Sequence, residues 1–315
     1  MLFSGESAQV TTDSSSSALG FVRDRLNWEA ADMAQGKIAY QGERGANSHI
    51  ACKDVYPDYE PIACRTFEDV ISSVESGEAQ LAMIPVENTI AGRVGDIHHL
   101  LPATSLHMIG EHLMRIRFQL MALPGVSLGE IERAYSHVMA LGQCRNFLRE
   151  HGIQARTAAD TAGAARQVAE RADKTAAAIA PGLAAEEYGL EILARDIEDA
   201  AHNTTRFVIM APEPLDLSPE DGPSMTAFLF QVRNIPSSLY KALGGFATNG
   251  VNMTKLESYQ IEGSFSASQF YAEIEGHPDE RPVQLALEEL GFFSNSLKIL
   301  GVYPRHPARE GTKGV

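Results

Sequence analysis

The chain has 315 residues, 44% of them hydrophobic and 21% charged, with a formal net charge of -15 at pH 7. At about 100–200 residues per domain, this length predicts two or three domains with ordinary cores, which excludes collagen-like and wholly disordered chains. A chain this acidic is a poor candidate for binding nucleic acid or anionic membrane. No apolar run reaches the ~18 residues of a membrane span. Cys52, Cys64 and Cys144 show no CxxC spacing, which argues against a disulfide scaffold or zinc ribbon and fits a reducing, cytoplasmic setting.

Residues 1–36 read as a flexible extension. They contain the run Ser14–Ser17 and few apolar residues. They lack the basic start and apolar stretch of a secretory signal, and carry too much acid for a transit peptide. From Lys37 to about Ala211, strands alternate with helices. Strands are expected at Ile38–Tyr40, Leu81–Val86, Arg117–Leu123, Ala134–Ser136, Ala176–Ala180 and Arg206–Met210. Helices are expected at Ser48–Val55, Phe67–Ser76, near Gln143–His151, at Thr161–Arg171 with Asp160 as N-cap, and at Leu183–Tyr188. This alternation predicts mostly parallel sheets covered by helices.

Residues 212–224 are a proline-rich linker by composition. Residues 225–304 then read strand (Met225–Val232), helix (Pro236–Thr248), two strands (Met253–Tyr259, Phe265–Glu275) around Glu262-Gly263, helix (Gln284–Leu290) and strand (Leu297–Val302). That βαββαβ order is ferredoxin-like. Residues 305–315 are expected to be a tail. The acidity sits in residues 37–223, which carry a net charge of -11, so an anion site there must draw on a few arginines and on backbone amides.

Four polar segments stand at strand ends, where α/β folds place ligands. Gly42–His49 joins a strand to a helix whose first amides form an anion site, but it is neither GxGxxG nor a Walker loop. Glu87-Asn88 follows the strand from Leu81. Ser136-His137 and Gln143-Cys144 flank a helix start without a GxSxG elbow, so a hydrogen-bonding wall is favoured over a nucleophile. Asn203-Thr204-Thr205-Arg206-Phe207 concentrates hydroxyls, an amide and a guanidinium. Ten histidines show no HExxH spacing, and no metal site is expected.

In order and spacing, these segments resemble the prephenate dehydratase family over about Lys37–Tyr303. The telling pieces are Tyr40–His49, Ile84–Arg93, Ser136–Cys144, Asp160–Ala165 and Asn203–Phe207. The C-terminal piece resembles an ACT domain, a small module that binds amino acids. The resemblance implies an α/β catalytic domain over 37–211, built as two periplasmic-binding-protein-like lobes. One lobe combines residues near 37–116 with the strand 206–210, and the other spans about 117–195. It implies cofactor-free decarboxylation and dehydration of prephenate to phenylpyruvate, water and carbon dioxide.

The family's Thr-Arg-Phe motif falls on Thr205, Arg206 and Phe207, with Thr205 as the donor to the departing oxygen. Arg206 and the amides of Ala46, Asn47 and Ser48 would then bind carboxylate, and Asn88, Ser136, Gln143 and Thr161 would wall the cleft. The same resemblance implies phenylalanine as feedback effector, held by Ser238, Leu239, Asn249, Asn252, Met253, Glu257 and Ser258 between the ACT domains of a homodimer or homotetramer. The chain departs from the family pattern in three places. Gly45-Ala46-Asn47-Ser48 stands for Gly-Thr-Phe-Ser, Ser237-Ser238-Leu239 for Gly-Ala-Leu, and Glu257-Ser258-Tyr259-Gln260 for Glu-Ser-Arg-Pro. Arogenate dehydratase and a non-catalytic amino-acid sensor are the alternatives.

Overall fold

A computed structural model describes residues 36–94, 96–233, 235–261 and 264–312. Two compact units meet in sequence at Pro214/Leu215. The expected extension over 1–36 lies outside the described residues except for Gly36, as does the turn at Glu262-Gly263.

The first unit opens with β1 (Lys37–Gln41), α1 (Asn47–Val55), β2 (Glu60–Cys64), α2 (Phe67–Glu75), β3 (Leu81–Asn88), β4 (Gly92–Arg93) and β5 (His107–Arg115). It continues with β6 (Gln119–Ala122), β7 (Arg133–Ser136), α3 (Val138–Gln143), α4 (Arg145–Glu150), β8 (Gln154–Thr157) and α5 (Thr161–Arg171). It closes with β9 (Ala176–Ala180), α6 (Gly182–Tyr188), β10 (Glu191–Ala194) and β11 (Thr204–Ala211).

These strands form two sheets. One has the order β2-β1-β3-β11-β5, with β4 paired to β3, and the other has the order β10-β6-β9-β7-β8. The chain leaves the first sheet after β5, builds the second, and returns as β11. The sheets are mixed, which corrects the expectation of mostly parallel pairing. β11 inserts antiparallel to both β3 and β5, and β6 runs antiparallel to β9 and β10. A pattern of alternating strands and helices does not reveal where a returning strand inserts.

Local chemistry explains the helices. Thr66 and Asp69 form a reciprocal capping box that starts α2. Asp160 accepts the Gly163 amide at 2.6 Å to start α5. The small face of α5 (Ala162, Ala164, Ala165, Val168) packs on the wholly buried Ala-Ala-Ala-Ile-Ala of β9.

The second unit is β12 (Ser224–Val232), α7 (Ser238–Thr248), β13 (Met253–Ile261), β14 (Ser264–Glu275), α8 (Arg281–Phe293) and β15 (Ser294–Pro304), with sheet order β13-β14-β12-β15. This is the expected ferredoxin-like fold. Phe228, Phe230, Phe246, Phe270 and Ile274 centre its core. The helix expected from Pro236 starts instead at Ser238, because Ser237 sits in the left-handed region at φ 63°. The expected tail is docked: His306 is buried, Arg305 reaches Glu275 at 3.1 Å, and Arg309 reaches the buried Glu273 at 3.3 Å. Among the described residues, no helix is long and apolar enough to cross a membrane.

Candidate active site

The polar strand ends of the first unit gather around one cavity of about 240 Å³. The first lobe supplies Asn47, Ser48, Asn88, Thr205 and Phe207 to its wall, and the second supplies His137, Gln143 and Thr161. Asn203, just before β11, lies at the crossing between lobes.

Asn88 organises the site. Its carbonyl oxygen accepts the amides of Ile90 and Ala91 at 3.0 and 2.8 Å, which fixes which way the side-chain amide faces. Its NH₂ group therefore turns inward. It donates to the Thr205 hydroxyl oxygen at 2.9 Å, to the Asn203 side-chain oxygen at 2.7 Å and to the Thr204 carbonyl at 3.2 Å. Because Thr205 Oγ1 accepts this bond, its own hydrogen is directed elsewhere and is available to a ligand. Asn203, only 1% exposed, donates in turn to Gln143 Oε1 at 2.7 Å.

The start of α1 supplies main-chain donors. Ala46 occupies the N-cap position without a side-chain cap, and the following Asn47 and Ser48 line the cavity. Ala46 is not part of that lining. Its own amide bonds the Glu43 carbonyl at 3.2 Å, and its side chain packs on the core of the second lobe. The loop is held by His49, whose Nδ1 accepts the Gly45 amide at 2.9 Å while its ring stacks on Tyr40. Burial lowers the pKa of His49 below the ordinary imidazole value.

Besides Ala46, two further expected site residues lie elsewhere. Arg206, assigned to a substrate carboxylate, is buried and pairs with buried Glu111 at 2.7 Å. On a strand, neighbours face opposite sides. With Thr205 and Phe207 toward the cleft, Arg206 must face away. Ser136 is wholly buried and donates to the Ile179 carbonyl at 2.6 Å, so it braces β7 on β9 and is not cleft wall.

Among the described residues, the lining contains neither arginine nor lysine. A neighbouring cavity of about 450 Å³, which shares Asn47, holds Lys53, Arg115 and Arg117. Arg115 and Arg117 alternate with Ile116 and Phe118, which face the first cavity.

His137 and Asn203 were not among the assigned site residues. Among the described residues, His137 is the sole lining residue with an imidazole or charged side chain. Its Nδ1 accepts the Met139 amide at 3.3 Å, so the neutral ring carries its hydrogen on Nε2. The signal for both was proximity in sequence: His137 follows Ser136, and Asn203 precedes Thr205 by two. Cys144 is buried and its thiol pKa is pushed up by burial, which makes it a poor nucleophile. Among the described residues, no cluster of three or more His, Cys, Asp or Glu could hold a metal ion.

In the second unit, the expected effector residues serve the module's frame. Ser238 and Leu239 start α7, Asn249 caps its end through the Gly245 carbonyl at 2.8 Å, and Asn252 reaches Glu275 at 3.2 Å. Met253 and Leu239 pack on the aromatic core. Glu257 bonds Tyr259 and Lys255 at 2.7 and 2.8 Å, and Ser258 pairs with Phe270 across β13 and β14.

Two α/β lobes about a cleft of neutral donors, followed by a ferredoxin-like unit, define a two-lobed small-molecule site joined to a small α/β module. The family model for prephenate dehydratase matches residues 38–215, and the chain belongs to that family. It is 50% identical to a bifunctional N-acyl-homoserine lactone acylase/prephenate dehydratase of Komagataeibacter europaeus, over 87% of this chain and 97% of the relative. It is 35% identical to arogenate dehydratase 2 of Petunia hybrida, over 87% of this chain and 73% of the relative. A solved prephenate dehydratase from Arthrobacter aurescens, in complex with L-Phe, superposes with a TM-score of 0.78 at 29% identity, covering 86% of this chain and 90% of the other.

Proposed function

We propose that this chain converts prephenate to phenylpyruvate, carbon dioxide and water, with Thr205 as the donor to the departing oxygen. The observation that carries this reading is the polarity of the Asn88–Thr205 bond, which leaves the hydroxyl hydrogen for the cleft. Prephenate loses one carboxylate as carbon dioxide and its ring hydroxyl as hydroxide, which takes a proton to become water. Aromatisation drives the step, so the protein's task is to hold a dianion and stabilise charge on the leaving oxygen. A threonine hydroxyl is too weak an acid to surrender a full proton near neutrality. Thr205 therefore acts by hydrogen-bond donation as charge builds. Helix-start amides at Asn47 and Ser48, the amide of Gln143 and the hydroxyl of Thr161 bind the carboxylates. The lining of amides, hydroxyls and one imidazole suits the keto acid, whereas the ammonium of arogenate calls for a carboxylate in the wall.

In this reading the second unit is an ACT module that takes phenylalanine as effector, in a homodimer or homotetramer. The L-Phe complex of the Arthrobacter aurescens relative supports an effector of that class. The test is phenylpyruvate formation by purified protein, with prephenate and arogenate offered separately and phenylalanine added, alongside the mass in solution. Fast turnover of prephenate, slowed by phenylalanine, is expected. No turnover above the spontaneous rate overturns the catalytic reading, and turnover indifferent to phenylalanine overturns the effector reading.

A second reading rests on the name of the 50% identical relative, which includes N-acyl-homoserine lactone acylase. In this chain, such an activity would hydrolyse the amide bond to a fatty acid and homoserine lactone. Release of free amine from an N-acyl-homoserine lactone tests it directly.

A further inference from the structure

The polar groups of the cleft form one continuous chain that crosses between the lobes. It runs from Gln143 on the second lobe, through Asn203 at the crossing, to Asn88 and Thr205 on the first. Each link has a defined direction. The amides of Ile90 and Ala91 hold the Asn88 oxygen, so its nitrogen faces Asn203 and Thr205. Asn203 must then offer oxygen to Asn88 and nitrogen to Gln143. Gln143 in turn offers its oxygen to Asn203, and its NH₂ group is left for the cleft. One backbone anchor at the β3–β4 hairpin thus sets the orientation of three amides and one hydroxyl. At both ends the chain presents donor hydrogens, Thr205 O–H and Gln143 N–H, to a substrate rich in anionic oxygen.

We infer that Asn203 is a positioning residue for the dehydratase reaction: its buried amide fixes the polarity of this chain and so aims the Thr205 and Gln143 hydrogens from opposite lobes at the same ligand. The inference rests on the dehydratase reading above. Asn203 is nearly inaccessible, so it acts through its neighbours. At neutral pH the amide of Asn203 both accepts from Asn88 and donates to Gln143, which a carboxylate cannot do. A carboxylate at this position still accepts from Asn88 but meets Gln143 oxygen to oxygen. That forces Gln143 to turn over and present its oxygen to the dianion. A protonated carboxyl group donates to Gln143 and restores the original order.

The test compares the wild-type enzyme with Asn203→Asp and Asn203→Ala, measuring kcat and KM for prephenate between pH 5 and 8, with folded fraction followed by circular dichroism. For Asn203→Ala, kcat is expected to fall at least tenfold. For Asn203→Asp, activity relative to wild type is expected to recover at least tenfold as pH falls and its carboxyl takes up a proton, at constant folded fraction. A merely structural role predicts no such recovery. Should neither variant fold, Gln143→Leu, at the partly exposed end of the chain, takes their place, with at least a tenfold loss of kcat/KM expected. The inference is overturned if the folded variants stay within threefold of wild type, or if Asn203→Asp follows the wild-type pH profile. A wild-type enzyme without activity overturns the dehydratase reading itself, and the two failures are therefore distinct.

Discussion

On one side of β11, Thr205 and Phe207 face a cleft lined by neutral donors. On the other side, one residue away, Arg206 lies against Glu111 with both side chains buried. The two sides solve different problems. The buried charge pair joins β11 to β5 and stabilises the sheet only while both partners are present. The cleft side keeps its donors partly unsatisfied, ready for a ligand that carries the negative charge. A guanidinium beside a threonine in sequence reads as one binding motif, but the two-residue period of a strand sends them to different regions.

The largest expected effect tests the charged side. Arg206→Met leaves Glu111 buried without this partner and is expected to cost about 3–5 kcal/mol of stability, with most of the loss recovered in the Arg206→Met/Glu111→Leu double variant. Denaturant unfolding measures both. A stable single variant with a raised KM would return Arg206 to substrate binding.

Next, Asn88→Asp tests the cleft side at nearly constant shape. An oxygen in place of the inward nitrogen draws the Thr205 hydrogen away from the cleft. Turnover is expected to fall by about 2.7 kcal/mol or more, the scale of one lost transition-state donor. Unchanged kcat at saturating prephenate would break the assignment.

Gly45 carries a smaller effect. It sits at φ 82°, and a side chain there would place Cβ 2.6 Å from the Ala184 backbone. Gly45→Ala is expected to destabilise by about 1–3 kcal/mol and to raise KM by moving the α1 amides. A melting temperature and KM equal to wild type would contradict this.

The smallest effect belongs to His49, whose pKa is lowered by burial. Its neutral form is favoured by folding. The associated stability is complete above the unfolded value of about 6.5 and is lost as pH falls through and below it. The melting-temperature difference between wild type and His49→Gln should therefore shrink from pH 7.5 to pH 5. A difference that grows on acidification would reverse the sign.

In the first unit the central strands were legible from sequence, whereas the edges were not. β1, β3, β9 and β11 each contain a continuous apolar run because both faces are covered there. Five strands of the first unit went unread: β2, β5, β8 and β10, which end its two sheets, and the two-residue β4 beside β3. β2 and β8 are short and largely exposed, so they lack an apolar run. β5 was hidden by Glu111 and His112 in its middle, and the burial of Glu111 becomes intelligible only once Arg206 lies beside it. The cleft was legible in Asn47, Ser48, Asn88, Gln143, Thr161 and Thr205 because loops at strand ends converge by topology. Arg206 and Ser136 were misplaced because the face of a strand depends on register.

The most direct test of the proposed chemistry is the rate of phenylpyruvate formation from prephenate by wild type, Thr205→Ser and Thr205→Val at equal folded concentration. The account predicts activity within about tenfold for the serine variant, which keeps the donor. It predicts a loss of about 100- to 1,000-fold for the valine variant, which keeps the shape without the hydroxyl. A valine variant as fast as wild type would contradict it.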